Sequence, residues 1–159
     1  MAKAPELQLK TGDVAPDFSA VTTDGSRIEL SRLRGKHVVL YFYPKDDTPG
    51  CTKEACAFRD AFPDFTAAGA VVLGVSTDPV RSHVRFTEKF RLPFPLIADE
   101  DRSVVNAYGA WGEKTVMGRR YQGIFRVTYP IGPDGLIRNI WSQVKPELHA
   151  AEVLKTIRG

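Results

Sequence analysis

The feature that most restricts the fold is the stretch HVVLYFY at residues 37–43, in which polar and apolar positions do not alternate. A half-exposed strand alternates, whereas a strand covered on both faces appears as one apolar run. Pro44 ends the stretch, because proline cannot donate a hydrogen bond to a neighbouring strand. A second such run, AVVLGV, covers residues 70–75. The sequence therefore predicts a central sheet with helices on both faces.

A helical pattern follows each of these runs. After Thr52, apolar residues recur at spacings of three and four, as on one face of a helix that Gly69 is placed to end. Pro63 interrupts this pattern, so we expect a kink or a break before it. Asp78 and Pro79 are typical of a helix start, with aspartate as the cap and proline in the first helical position.

The order of elements predicts an α/β fold with a mixed sheet, because strands alternate with helices and a hairpin follows. An N-terminal β-hairpin is expected around Asp24-Gly25, a dipeptide that suits a tight turn. The 159 residues suit a single domain. The remaining elements are predicted to be a strand at 96–98, a short helix at 99–108, a loop at 109–122, paired strands at 124–131 and 136–141, and a closing helix at 146–157.

Charge and composition exclude several classes of protein. The net charge of +3 comes from 22 basic and 19 acidic residues spread along the chain, without the basic stripe that follows a nucleic-acid backbone. No stretch approaches the ~18 apolar residues of a membrane span, and the first ten residues lack the apolar segment of a secretory leader. Two cysteines are fewer than a disulfide-stapled secreted domain normally carries. We therefore expect a cytoplasmic protein that binds neither nucleic acid nor membrane.

Cys51 has the position best suited to nucleophilic chemistry. It follows Thr48-Pro49-Gly50 near the start of the predicted helix, where free amide N–H groups and the helix dipole favour a thiolate. Thr48 places a hydroxyl three residues earlier, and the amides of Gly50 and Cys51 could face the same point. Such donors stabilise the charge that develops on an oxygen leaving a peroxide. A guanidinium would complete the set, but composition alone does not choose among the arginines.

The string YFYPKDDTPGCTKEAC at residues 41–56 resembles the active-site signature of the peroxiredoxins, in particular the peroxiredoxin Q or bacterioferritin-comigratory subfamily. The resemblance covers nearly the whole chain, with GDVAPDF at 12–18, LGVSTD at 73–78 and YGAWGEKTVMGRRYQGIFR at 108–126. It departs at Gly132 and Pro133, where similar chains often carry an acidic residue before the Asp-Gly turn.

This resemblance implies a thioredoxin-like fold and a thiol peroxidase. Cys51 would attack hydrogen peroxide or an organic hydroperoxide and become a sulfenic acid. Cys56 would resolve it as an intramolecular disulfide, which thioredoxin or a glutaredoxin-like dithiol would reduce. No cofactor is implied, and the subfamily favours a monomer or weak dimer. The residues that would frame the peroxide and the sulfur are Pro44, Thr48, Gly50 and Arg126.

Other interpretations stay open at the level of sequence. A disulfide oxidoreductase that acts on proteins normally pairs its cysteines as C-x-x-C, whereas four residues separate Cys51 from Cys56. A redox sensor or holdase could use the same two thiols without turnover, and Cys56 could be a core residue. His37, His83 and His149 are scattered and lack the ligand spacing of a structural zinc site. Thr48 could serve only to form the turn.

Overall fold

A computed structural model describes residues 8–159. The first seven residues, which include most of the segment inspected for a leader and the start of the predicted domain, lie outside the described part. In chain order the strands are β1 (Ser19–Val21), β2 (Arg27–Glu29), β3 (His37–Phe42), β4 (Ala70–Ser76), β5 (Leu96–Ala98), β6 (Trp111–Val116), β7 (Arg119–Ile124) and β8 (Val127–Ile131). The helices are α1 (Pro49–Ala67), α2 (Val80–Phe90), α3 (Ser103–Ala107) and α4 (His149–Arg158).

The central sheet has the strand order β5-β4-β3-β8. Strand β4 is parallel to both β3 and β5, whereas β8 runs antiparallel to β3. The predicted mixed sheet is confirmed. Because the parallel strands all end at one edge, the loops after β3, β4 and β5 meet there, and the loop after β3 leads into the first turn of α1, which carries Cys51.

Both faces of this sheet are covered, which explains why β3 does not alternate. Leu40 and Phe42 point into one apolar cluster with Tyr129 of β8. Val39 and Tyr41, which alternate with them along the strand, point into a second cluster that contains residues of α1 and α4. Every position of the strand after His37 is therefore buried, and an apolar residue is favoured at each of them.

The N-terminal hairpin and the first long helix form as predicted, with one exception. β1 and β2 pair antiparallel, and Gly69 adopts φ 73° after α1. Of the kink or break predicted at Pro63, the break is wrong, because α1 continues through the proline. Phe58 and Phe65 lie on either side of the proline and are each 0% exposed, so packing holds both halves of the helix against the sheet.

Two predicted helix starts are wrong because the acidic residues serve other partners. The second helix begins at Val80, and the Asp78 carboxylate accepts hydrogen bonds from the Ser76 hydroxyl and the backbone N–H of Asp46 instead of capping it. Asp99 likewise precedes α3, and its carboxylate accepts the N–H groups of Val104 and Val105. The closing helix also begins later than predicted, at His149.

The segment after α3 differs most from the prediction. The expected loop at 109–122 is a β-hairpin of β6 and β7, and its two turn residues, Met117 and Gly118, both have positive φ, as a tight hairpin turn requires. The predicted strand at 136–141 pairs with β8 only through the bridges Ile131–Ile137 and Thr128–Trp141. One extra residue separates these bridges on the 136–141 side, so the ladder is interrupted as at a bulge.

Candidate active site

The start of α1 holds the predicted nucleophile. Thr48 is the extended residue before the helix, and Pro49 takes the first helical position, where its missing N–H costs nothing. The helix thus begins three residues earlier than the predicted Thr52, and Cys51 lies in its first turn with 1% of its surface exposed. This first-turn position lies at the end of the helix where the N–H groups are free and the dipole is positive.

Arg126 reaches Cys51 from a distant part of the chain. It lies in the short link between β7 and β8, and its Nη2 donates a hydrogen bond to the Cys51 Sγ at 3.3 Å. A Cβ added to Gly50 would lie 3.2 Å from the same Nη2, so the absence of a side chain there leaves room for the guanidinium. The structure therefore brings together the cysteine, glycine and arginine of the predicted set.

Thr48 and Pro44 shape the loop in front of the cysteine. The Thr48 hydroxyl donates to the carbonyl oxygen of Lys45 at 2.9 Å, so it helps to form the turn and keeps its lone pairs available to accept. Pro44 lies two residues after the end of β3 and is partly buried. Both residues lie on the loop that joins the central strand to the active helix.

Glu54 is a site residue that the sequence analysis missed. It is 0% exposed, and its Oε1 accepts a hydrogen bond from Arg126 Nη1 at 2.7 Å. Its Oε2 has no hydrogen-bond partner among residues 8–159. Burial raises the pKa of Glu54 to about 7, although Arg126 opposes this. Burial by itself would lower the pKa of Arg126, but Glu54 and Cys51 raise it overall, so the guanidinium stays charged.

Cys56 lies further along α1 and is not in contact with Cys51. Both thiols are free, and Cys56 is partly exposed in an open groove between α1 and α4, where Lys53 and Glu147 are also found. Five residues of regular helix place two Cα atoms about 8.7 Å apart, given a rise of ~1.5 Å and a turn of ~100° per residue. A disulfide requires less than about 7 Å. The two thiols cannot join while the helix start is intact.

A buried histidine completes the polar groups near the site. His149, at the start of α4, is 1% exposed, and its Nε2 lies 2.7 Å from the Thr128 hydroxyl. Burial, assisted by the charge of Arg126, lowers the pKa of His149 to about 4. The ring is therefore neutral at physiological pH.

Comparison with known proteins places this arrangement in a family. Residues 11–140 match the AhpC/TSA family. The putative peroxiredoxin bcp of Coxiella burnetii is 47% identical over 148 residues, which are 93% of this chain and 98% of that protein. The chain is a peroxiredoxin of the AhpC/TSA family.

Solved structures agree with this assignment. A cysteine mutant of Xylella fastidiosa PrxQ superposes with a TM-score of 0.90 at 37% identity, covering 95% of this chain and 96% of that one. A Xanthomonas campestris bacterioferritin comigratory protein, studied for its alkyl peroxide reduction activity, superposes with a TM-score of 0.86 at 36% identity, covering 96% and 98%. This peroxiredoxin therefore has a thioredoxin-like fold and is a thiol-dependent peroxidase. Within residues 8–159, no helix is long and apolar enough to cross a membrane.

Proposed function

We propose that this peroxiredoxin reduces hydrogen peroxide and organic hydroperoxides with Cys51 as the attacking thiol and Cys56 as the resolving one. The observation that carries the proposal is the contact of 3.3 Å between Arg126 Nη2 and the sulfur of a cysteine in the first turn of a helix. A fixed cation and free amide N–H groups at one sulfur favour the thiolate, which is the nucleophilic form.

In the first step the Cys51 thiolate attacks one peroxide oxygen. The S–O bond forms as the O–O bond breaks, giving a sulfenic acid and an alkoxide or hydroxide that takes a proton from solvent. Negative charge moves from the sulfur to the leaving oxygen during this step. Arg126 and the first-turn amides are positioned to stabilise that charge. The Thr48 hydroxyl, whose proton goes to the Lys45 carbonyl, can accept a hydrogen bond from the O–H of the peroxide. Glu54 holds the guanidinium through its second nitrogen.

In the second step the Cys56 thiol attacks the sulfenic sulfur, forming the disulfide and releasing water. Because a regular helix keeps the two Cα atoms too far apart, the first turns of α1 must unwind. Phe58 is fully buried and stacks on Tyr41 with ring centroids 4.7 Å apart, so we place the limit of unwinding before it. The partly exposed groove beside Cys56 gives a dithiol reductant access to the chain.

We propose thioredoxin or a glutaredoxin-like protein as that reductant, in a cytoplasmic enzyme that folds as one domain. Both thiols belong to one chain, so the cycle needs no second subunit, and we propose a monomer or weak dimer. Sedimentation of the reduced and oxidised protein tests this last point.

The decisive experiment is peroxide-dependent NADPH oxidation coupled through thioredoxin and its reductase. We expect Cys51→Ser to abolish turnover, because a serine hydroxyl is not ionised at neutral pH. Cys56→Ser should still form a sulfenic acid at Cys51 that a trapping reagent labels, while turnover with thioredoxin falls. If Cys51→Ser keeps more than about a hundredth of the parent rate, the assigned nucleophile is wrong. Turnover of peroxide also separates an enzyme from a sensor that is oxidised once.

Amide exchange tests the unwinding step. The oxidised protein should exchange faster between about Gly50 and Phe62 than the reduced protein, because unwinding before Phe58 also frees the N–H groups that bond to carbonyls four residues earlier. The central sheet should be unchanged, and thioredoxin should reverse the difference. Equal protection in both forms would mean that Cys51 pairs with a thiol of another chain.

A further inference from the structure

A buried polar cluster lies beside the active-site loop and has no part in the proposed chemistry. It gathers side chains from the loops after β3 and β4 and from the first turn of α2. Asp46 is 7% exposed and His83 is 0% exposed. We call it the Asp46 cluster; its members are Tyr43, Asp46, Ser76, Asp78, Ser82 and His83.

Asp46 is the centre of this cluster. Its Oδ1 accepts a hydrogen bond from the Tyr43 hydroxyl at 2.6 Å, and its Oδ2 accepts one from the Ser82 hydroxyl at 2.8 Å. The same Oδ2 lies 2.7 Å from Nδ1 of His83. The backbone N–H of Asp46 donates to Asp78 at 2.8 Å. The side chain of this residue is therefore tied to α2, and its backbone is tied to the link between β4 and α2.

The hydrogen bonds determine where the protons of the His83–Asp46 pair must be. Nε2 of His83 lies 2.9 Å from the carbonyl oxygen of Ile97, which can only accept, so Nε2 carries a proton. The contact between Nδ1 and Oδ2 must also contain a proton, because two lone pairs at 2.7 Å would repel. The pair thus joins α2 to the loop through a short, charge-assisted or shared-proton hydrogen bond.

Hydrogen bonds also account for the grouping of Asp46, Asp78 and His83. One atom from each lies within 4.8 Å of the others, a spacing that a cation could bridge. The Asp46 oxygens and the Asp78 Oδ2 already accept from N–H or O–H groups of the cluster. We therefore interpret the cluster as an anchor and not as a metal site.

The anchor lies immediately before the active helix. Asp46 precedes Thr48, the extended residue at the start of α1, by two positions and Cys51 by five. Between them, Asp47 has φ 55°, a conformation that costs energy in a residue other than glycine and persists only where its surroundings hold it. Asp47 also pairs with Lys89 of α2 at 2.7 Å, but this contact is exposed and contributes little. The buried anchor is the stronger restraint.

We propose that Asp46 and His83 are positioning residues that hold the start of α1 in its folded form and thereby set the balance between peroxide reduction and disulfide formation. This inference rests on the proposed function. The folded start places Thr48 and the first-turn amides around the sulfur of Cys51. The unwound start brings Cys51 to Cys56. A weaker anchor should therefore slow the first step and speed the second.

The opposite signs of these two effects distinguish positioning from general stabilisation. Asp46→Ala removes the anchor and leaves His83 without its acceptor. In a Cys56→Ser background, we expect its Cys51 to react about tenfold more slowly with hydrogen peroxide, by loss of a charged hydrogen bond. The second measurement uses the chain with Cys56 present and gives the peroxide concentration at which half of Cys51 becomes sulfinic acid. We expect Asp46→Ala to raise this concentration about tenfold, because faster unwinding lets the disulfide form before a second peroxide reacts.

Asp46→Asn is the conservative variant that should rescue both properties. Its amide oxygen can accept from Tyr43, and its two N–H groups can donate to the Ser82 oxygen and to an unprotonated Nδ1 of His83. The anchor is then kept without the buried charge. We expect both measurements to stay within about threefold of the parent, since every hydrogen bond has a replacement.

Asp99→Ala is the matched control. Asp99 is another buried carboxylate at the same edge of the sheet, 3% exposed, but it binds the backbone of α3 and not the active-site loop. We expect Asp99→Ala to have a lower melting temperature than the parent, with no change in the rate of the first step or in the peroxide concentration that gives half sulfinic acid. If Asp46→Ala does not fold, Ser82→Ala removes one donor to the same carboxylate and should shift both measurements in the same directions by about threefold.

The experiment follows Cys51 by quenched-flow mass spectrometry in the full chain with hydrogen peroxide. The inference is supported if Asp46→Ala or Ser82→Ala slows the first step and also raises the peroxide concentration that gives half sulfinic acid, while Asp46→Asn and Asp99→Ala stay near the parent in both. Unchanged values, or a parallel loss that Asp99→Ala reproduces, overturn it. If Cys51 of the Cys56→Ser parent fails to react with peroxide at all, the proposed function itself is wrong.

Discussion

Replacing Arg126 with alanine should affect the rate and the stability by separate routes. The change removes the Nη2 contact with the Cys51 sulfur and the Nη1 contact with Glu54. Loss of one preorganised donor to a developing charge typically costs ~10²–10³ in rate. Arg126→Lys should recover only part of this loss, because an ammonium group lacks the planar fork that reaches both partners.

The cost in stability arises from Glu54, which the substitution leaves buried without its cation. Breaking a buried pair in this way costs about 3–5 kcal/mol when the remaining group stays charged. The pKa of Glu54 is already raised by burial to about 7, from 4.5. Between pH 4.5 and about 7, Glu54 is therefore protonated in the folded protein and ionised in the unfolded chain. Loss of Arg126 extends this pH range upward, because the cation that opposes protonation is gone. The contribution of Glu54 to the stability of Arg126→Ala should therefore be most favourable at pH 4.5 and below, and it should be lost as the pH rises to 8.

Two assays separate these effects. Stopped-flow oxidation of Cys51 in a Cys56→Ser background gives the rate, and urea unfolding at pH 5 and pH 8 gives the stability. Adding Glu54→Gln to Arg126→Ala removes the buried acid, so it should restore stability at pH 8 but leave the rate low. If the double variant instead regains the parent rate, Arg126 acts only by holding the fold and our reasoning about the sulfur contact is wrong.

Substitutions at three further positions test individual contacts. Gly50→Ala places a methyl group 3.2 Å from Arg126 Nη2 and should slow peroxide reduction at least about tenfold, with little change in melting temperature; a normal rate would mean that the guanidinium has room to move. Thr48→Val should slow the same step, whereas Thr48→Ser keeps the hydroxyl and should not; equal rates in the two would limit Thr48 to a role in the turn. Because burial lowers the pKa of His149 to about 4 from 6.5, the parent should lose up to about 3 kcal/mol of unfolding free energy as the pH falls between these values, and His149→Gln should not lose this part. Parallel urea midpoints for both proteins from pH 7 to 4.5 would contradict this assignment.

The sequence was most informative where the chemistry is local. Thr48, Gly50 and Cys51 lie within four consecutive positions, so the turn, the helix start and the thiol could be inferred together. Arg126 is 75 residues away from Cys51, and only the family resemblance selected it. Glu54 was missed, although it lies three residues after Cys51 and hence on the same side of the helix. Its burial depends on Arg126, which no local pattern shows.

The elements that escaped prediction are those whose structure depends on weak or non-local preferences. Strand β7 is largely exposed, strand β6 is only partly buried, and both carry charged residues, so their pattern resembled a loop. Their turn uses Met117, a residue that rarely adopts positive φ, instead of the asparagine or aspartate that identifies a tight hairpin. Asp78 resembled a helix cap, but the long-range bond from the Asp46 N–H takes its carboxylate.

The bond between Arg126 and the Cys51 sulfur links oxidation state to the opening of the helix. In the proposed cycle the guanidinium is paired with a thiolate before the reaction, and this attraction adds to the free energy needed to pull the first turn away. A sulfenic acid is neutral at the same position, so the attraction is lost as soon as the peroxide has reacted. The two effects are thermodynamically linked. Ionisation of the thiol raises the equilibrium constant for closing the helix start by the same factor by which closing raises the ionisation constant of the thiol. In the proposed cycle, one contact thus favours the reactive thiolate and also keeps the first turn of the helix closed until the peroxide has reacted.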